Sequence, residues 1–354
     1  MGANGISRLA TKQLRQEAKL ALAAEKNELS FNLDYLPSKY VDNVSTPNEL
    51  PNGLLQGRPW VERMEAAYPD LVPLTPGFGN DFVFTVETTG SDENFTIVCR
   101  NVGTFDATID WGDGSTSDIT SFDDAGLTHV YVDAGTHTIR VSGSFPTLYN
   151  NGTAGDRGKY REILQFGDVG WLDLNSAFQG CSGLVSVRSG MACEVGNVTR
   201  FDEMFEGCNS LTTINLSTFQ PNSTDVVMVE MFRDTANAGM AEIDFSGFAG
   251  VAPIQMQGIF RNAGPGAPGL DVIGLEEIDY SAVQNGRFND FARFSTLSVE
   301  TYDAFLIRLA DQNVIDTQTV DFGNSRYTNG SASDTARTSL INDDGWTIQD
   351  AGSI

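Results

Sequence analysis

Met204-Phe-Glu-Gly-Cys-Asn-Ser-Leu-Thr-Thr-Ile-Asn-Leu-Ser-Thr-Phe219 returns in weakened copies along the second half of the chain. Its first phenylalanine recurs at Phe178, Phe205, Phe232 and Phe260, at spacings of 27, 27 and 28, and Phe288 continues the series at a further 28. Phe178-Gln-Gly-Cys-Ser-Gly-Leu184 and Met231-Phe-Arg-Asp234 carry the same frame. Short apolar segments with a polar centre follow: Ile214-Asn-Leu216, Ile243-Asp-Phe245 and Ile278-Asp-Tyr280, each read as a strand. Self-similarity at this period predicts a solenoid, because one unit cannot bury its apolar face alone and must stack on its neighbours. Such a stack offers a long repetitive surface, better suited to binding or scaffolding than to a buried catalytic pocket.

Composition agrees with a mainly β, multidomain chain. Of 354 residues, 36 are Gly and 22 are Phe, so turns are frequent and packing is aromatic. The net charge of −25 comes from scattered acids and disfavours nucleic acid and anionic membranes as partners. No stretch is long and apolar enough to span a bilayer, and no secretory signal is visible at the N-terminus. The expectation is a protein made soluble, without membrane insertion, that reaches any external place by assembly or lysis. Cys181 and Cys208 occupy equivalent frame positions one repeat apart. They read as free core thiols, with a disulfide between them as the alternative. Neither C-x-x-C nor a Cys/His zinc spacing occurs.

Four segments follow along the chain. Residues 1–80 read as a basic amphipathic helix and an extended arm. The helix, residues 7–26, sets Arg8, Lys12, Arg15, Lys19 and Lys26 against two acids, and suits docking into an acidic partner. Tyr40 and Trp60 are the candidate anchors of the arm. Residues 81–146 read as a β-sandwich, with strands at Phe82–Val86, Phe95–Cys99, Thr108–Trp111, His129–Tyr131 and Thr138–Ser142. Residues 147–296 are the solenoid. Residues 297–354 read as an α/β cap with helices after Ser298 and over Ser333–Asn342, and strands at Thr319–Phe322 and Trp346–Ile348.

Three resemblances overlie this reading. The turn Trp111-Gly-Asp-Gly-Ser115, followed by His129-Val-Tyr131 and Gly135-Thr-His-Thr-Ile-Arg-Val141, resembles PKD-like domains, with His137 where that family carries an aromatic. The frame around Phe205 resembles the BspA-like leucine-rich repeats of surface proteins, and drifts where Thr235 and Ala263 replace Cys. The opening Met1-Gly-Ala-Asn-Gly-Ile-Ser-Arg-Leu-Ala-Thr-Lys-Gln-Leu-Arg-Gln-Glu-Ala-Lys19, with Gly57-Arg-Pro-Trp60, resembles the start of virion structural proteins of marine tailed phages, particularly those infecting cyanobacteria. Together these imply a virion appendage such as a fibre, knob or decoration. It would dock on other virion structural proteins and display its outer segments to a host-surface glycan or protein, or to neighbouring copies. A homo-oligomer follows from particle symmetry, with a trimer expected. The alternative is a bacterial cell-surface adhesin of the same repeat type.

Little in the sequence points to catalysis. Only His129 and His137 are present, and no G-x-S-x-G elbow, phosphate loop or H-E-x-x-H occurs. No cofactor is expected. One metal reading stands beside this: Asp110, Asp113 and Asp118 surround a tight turn and offer oxygens to calcium, whereas in the simpler reading Asp113 only holds backbone amides. Arg233, Arg261 and Arg287 fall at similar repeat positions and read as a basic contact ladder.

Overall fold

Strand Phe82-Val-Phe-Thr-Val-Glu-Thr88 (β1) is buried at every residue but Glu87, including the two threonines. It belongs to a computed structural model that describes residues 78–354, apart from 152–155, 191–192, 222–224, 236–239, 241, 265–268, 313 and 315–316. The expected N-terminal helix and arm, with Arg8, Lys12, Arg15, Lys19, Tyr40 and Trp60, lie outside the described residues. Residues 78–80, assigned to that arm from sequence, pack on the described unit instead: Asp168 N donates to Asn80 O (2.7 Å) and Gln165 Nε2 to Gly79 O (2.9 Å).

The protein is mainly β. In chain order the first strands are β1, β2 (Glu93–Thr96), β3 (Asp106–Asp110), β4 (Thr116–Ile119), β5 (Thr128–Tyr131), β6 (Gly135–Ser144) and β7 (Tyr160–Gln165). They are followed by β8 (Ser186–Arg188), β9 (Thr213–Asn215), β10 (Val226–Val227), β11 (Glu242–Asp244), β12 (Pro253–Gln255) and β13 (Asp271–Ile273). Nine of these make one sheet, ordered β13-β11-β9-β8-β7-β1-β6-β3-β4. β1 joins its two halves. It pairs antiparallel with β6 (Phe84 opposite Ile139) and with β7 (Phe84 opposite Ile163). From β7 onward every neighbour is parallel. Ile163, Val187, Ile214, Ile243 and Val272 stand side by side, all buried.

The antiparallel half is closed by the β2–β5 pair, which forms a separate two-stranded ladder. Between the two layers Trp111 is fully buried, packs edge-on against Phe95, and accepts a hydrogen bond at its carbonyl from Tyr131 Oη (2.9 Å). The turn after Trp111 admits only glycine at 112: φ is +81°, and a Cβ there would lie 2.4 Å from Thr138 O.

The parallel half is built of coils. Four of them turn at a phenylalanine, and Phe178, Phe205, Phe232 and Phe260 stack face to face at 5.6, 5.8 and 5.6 Å with interplanar angles of 5°, 11° and 4°. Main-chain rungs run beside the rings. In the Phe205 coil the amides of Phe201, Glu203, Phe205 and Gly207 donate to the carbonyls of Val227, Val229, Met231 and Arg233 at 2.8–2.9 Å. The equivalent four amides donate in the coils of Phe178, Phe232 and Phe260. A backbone polar group in such a stack must find its partner in the next coil, which locks the coils in register.

Two readings of the repeat are corrected. Phe288 is not the fifth member of the column. The rungs place Ala292 there, since Phe260 N meets Phe291 O as Phe232 N meets Ile259 O, and the Phe291 ring packs edge-on against Phe260 at 5.6 Å. Nor is Ile278-Asp-Tyr280 a strand; the strand of that coil is β13, seven residues earlier. The shared Asp/Asn-x-Ser pattern marks a turn rather than a strand: Asn215, Asp244 and Asp279 each accept from the amide two residues on.

The two helices and two strands expected in residues 297–354 are present. Helix α1 (Val299–Asp311) starts at Ser298, whose Oγ accepts from Thr301 N. Its buried residues Tyr302, Phe305, Leu306 and Leu309 repeat at helical spacing, and Phe305 packs on Tyr280, Phe291 and Phe322. Strand β14 (Thr319–Asp321) pairs parallel with β15 (Thr347–Gln349), and α2 (Ala332–Asn342) lies between them in sequence.

Candidate binding face

Each phenylalanine turn is flanked by two left-handed residues, two places before the column position and two after. Ser176/Gly180, Glu203/Gly207, Glu230/Asp234, Gly258/Asn262 and Asp290/Phe294 all have φ between +51° and +71°. The backbone therefore presents the side chain between them in the same way in every coil. At the place after the phenylalanine stand Gln179, Glu206, Arg233, Arg261 and Arg293. Neighbouring coils are about 5 Å apart, within reach of an ion pair.

These side chains interlock. Gln179 Nε2 donates to Glu203 (2.8 Å) and to Glu206. Arg233 pairs with both Glu206 and Glu230, and its Nε lies 3.4 Å from Asp234. Arg261 lies 3.6 Å from Glu230 and 3.9 Å from Asp290; Arg293 lies 3.3 Å from Asp290 and 3.8 Å from Asp321. The ladder of Arg233, Arg261 and Arg287 expected from sequence is corrected in two ways. Its third member is Arg293, because Arg287 lies five residues before Ala292, on the column of Arg200 rather than of Arg233. It is also not a free basic surface, since acids one coil away neutralise each of its arginines. The partners on neighbouring coils escaped the sequence reading because they are 27 to 31 residues distant. The repeat period holds the signal that could have found them.

Among the described residues one carboxylate group converges, Glu203, Glu206 and Glu230, with oxygens within 4.8 Å of one another. Burial pushes the Glu206 carboxyl up, against the lowering influence of Gln179 and Arg233. The Arg233 guanidinium already occupies the charge-balancing place, so a cation would have to displace it.

Asp110, Asp113 and Asp118 do not converge. Asp110 Oδ1 accepts from Gly112 N (3.0 Å), Asp113 Oδ1 from Ser115 N (3.0 Å) and Ser115 Oγ (2.6 Å), and Asp118 Oδ1 from Thr108 Oγ1 (2.8 Å). Each carboxylate holds its own piece of the hairpin, which leaves the calcium reading without a common centre. His129 stacks on Trp111 (5.0 Å, 15°) and its Nε2 meets Asp113 Oδ2 at 2.7 Å. Burial raises the Asp113 carboxyl, but the bonds from Ser115 and His129 outweigh it and bring the pKa down to about 2.

Ser115, His129 and Asp113 are neighbours, yet Ser115 Oγ (3.4 Å) and Asp113 address the same ring nitrogen. Nucleophilic catalysis needs the serine at one nitrogen and the carboxylate orienting the other. His137 stacks on Tyr131 (3.7 Å) and bonds Thr88 Oγ1 (3.0 Å). Cys181 and Cys208 are free and buried; burial pushes both thiols up, and Cys208 Sγ donates to Phe178 O (3.1 Å).

Among the described residues no helix is long and apolar enough to cross a membrane. No protein-family model, curated protein or solved structure matches the chain.

Proposed function

We propose that this chain is a non-enzymatic structural protein of a phage virion, an appendage of the fibre, knob or decoration kind. Its N-terminal region docks on other virion proteins. The antiparallel half is a PKD-like spacer, and the coils are a leucine-rich-repeat-like solenoid displayed toward a host-surface glycan or protein, or toward neighbouring copies in a homo-oligomer, which we take to be a trimer. The observation that carries the reading is the coil stack itself: a stacked aromatic column, four unbroken rungs per coil over four coils, and a face of self-neutralised charge. This is a stiff body that holds surfaces at a distance. The Ser115–His129–Asp113 geometry supports the non-enzymatic part. Weak contacts gain strength when many copies act together on one particle.

Electron microscopy of purified particles labelled with an antibody raised against the Phe78–Ile354 unit tests the localisation. Label at defined sites on intact virions is expected. Label confined to the bacterial surface would favour the adhesin instead.

A further inference from the structure

The coil stack opens at one place. The amides of Phe288, Asp290, Ala292 and Phe294 are the fifth set of rung donors, and among the described residues only Ala292 N finds a partner, Asp321 O at 2.9 Å. Neither Phe288 N, Asp290 N nor Phe294 N donates to another described residue. Here Gly286 N is met by the side-chain Oε1 of Gln318 (3.0 Å) rather than by a carbonyl. In the gap is a cleft of about 680 Å³, lined by Asn285, Asn289 and Asp290 from one coil, Thr317 and Thr319 from the next, and Gln349 behind them.

We propose that this cleft binds a neutral saccharide. Four features select that ligand. First, the side chains of Asn285, Asn289, Thr317, Thr319 and Gln349 make no hydrogen bond to another described residue, whereas Gln179, Asn262 and their neighbours on earlier coils are bonded to one another. Amides and hydroxyls both donate and accept, as the adjacent hydroxyls of a sugar do.

Second, Asp290 N, which lines the cleft and has no acceptor among the described residues, adds a fixed donor. Third, the charges exclude ions: Arg293, which also lines the cleft, sits between Asp290 and Asp321, so a cation meets a guanidinium and an anion meets two carboxylates. Fourth, beside the cleft rather than in its lining, Phe294 follows Arg293, stands 56% exposed and carries the guanidinium 4.7 Å from its ring centre. Its φ is +65°, at a place where earlier coils use Gly180, Gly207, Asp234 and Asn262. A bulky residue held in that region is a strained exception that tends to mark function, and an exposed ring offers the apolar platform that the C–H face of a pyranose stacks on.

The volume falls within the range of small-ligand sites, roughly 300–1,000 Å³. An extended peptide is a poorer fit, because the intact Ala292–Asp321 rung closes the gap across the path a strand would take. The assignment rests on the adhesive reading above only for where the sugar comes from.

The test is calorimetric titration of the full-length protein with maltohexaose, cellohexaose, xylohexaose and chitohexaose, and with hexagalacturonate as the anionic comparison. At least one neutral oligosaccharide is expected to bind and hexagalacturonate is not. Asn289→Ala and Phe294→Asn should each weaken binding about tenfold, the loss of one good polar or stacking contact, while the thermal midpoint stays within about 2 °C of the parent. Absence of binding by all four neutral sugars, preference for hexagalacturonate, or undiminished affinity in both variants overturns the assignment. Particle association is read separately, so a failed titration leaves the virion reading standing.

Discussion

Removing one ring from the middle of the phenylalanine column measures how far the coils depend on one another. Phe232 is fully buried, stacked between Phe205 (5.8 Å) and Phe260 (5.6 Å), with Phe245 edge-on at 5.9 Å. Phe232→Ala loses the transfer energy of the ring and leaves a cavity that the rungs at Glu230 and Asp234 keep from collapsing, an effect of about 3–5 kcal/mol. Each aromatic pair carries about 0.5–1.5 kcal/mol of that. Unfolding of the Phe78–Ile354 unit should have an entropy of about 0.6 kcal/mol/K at ~2.1 cal/mol/K per residue, so the midpoint should fall by about 5–8 °C. Differential scanning calorimetry of the parent, Phe232→Ala, Phe205→Ala and the double variant gives both the size of the loss and the coupling. The stacked pair predicts a coupling of about 1 kcal/mol between the two sites. A midpoint change below about 2 °C, or strict additivity, would refute the claim that neighbouring rings hold the coils together.

Three further outcomes are expected. Arg233→Gln leaves Glu206 without its guanidinium and Glu230 with Arg261 alone, and should destabilise by about 1–3 kcal/mol at pH 7. Because burial already raises the Glu206 carboxyl, its folded form favours the proton, so the deficit should shrink as pH is lowered toward 5; an equal deficit at both pH values counts against the interlocked ladder. Asp113 is depressed from 3.8 to about 2, so its contribution is present above pH ~4 and is lost as pH falls toward 2. Asp113→Asn should lower stability at pH 7 by ~1 kcal/mol or less, as befits a partly exposed pair, and flatten the acid limb of the melting curve; an unchanged acid limb would be inconsistent with the His129 pair. A chelator should leave the thermal midpoint where it is, since Asp110, Asp113 and Asp118 share no centre, and a fall of several degrees would reinstate calcium there.

How much of this was legible in the sequence depends on distance along the chain. The column from Phe178 to Phe260 was readable because a strict period exposes it. The α1 cap was readable because Ser298 and the apolar spacing of Tyr302, Phe305 and Leu309 are local signals. The series failed at Phe288 because the step from Phe260 to Ala292 is 32 residues, and counting at 28 lands four residues short. Ile278-Asp-Tyr280 misled because its Asp serves the turn in every copy, while the strand is set by pairing with the coil before it. The charges of the binding face were visible but their neutralisation was not, since Arg233 and Glu206 meet only once the coils stack. The cleft had almost no sequence signal. It lies where Phe288 N, Asp290 N and Phe294 N find no acceptor among the described residues, and that is a property of two coils together. Phe294 alone, a phenylalanine where earlier copies carry Gly, Asp or Asn, could have drawn attention to it.

The central claim is that residues 1–77 attach the protein to a particle and that Phe78–Ile354 is what the particle displays. Full-length protein and the Phe78–Ile354 unit, which begins where the described fold begins, should each be mixed with virions assembled without the native copy and followed by sedimentation. The account predicts that only the full-length chain travels with the particles. Equal co-sedimentation of both would place the docking surface on the coils or the antiparallel half, and binding by neither would contradict the virion reading itself.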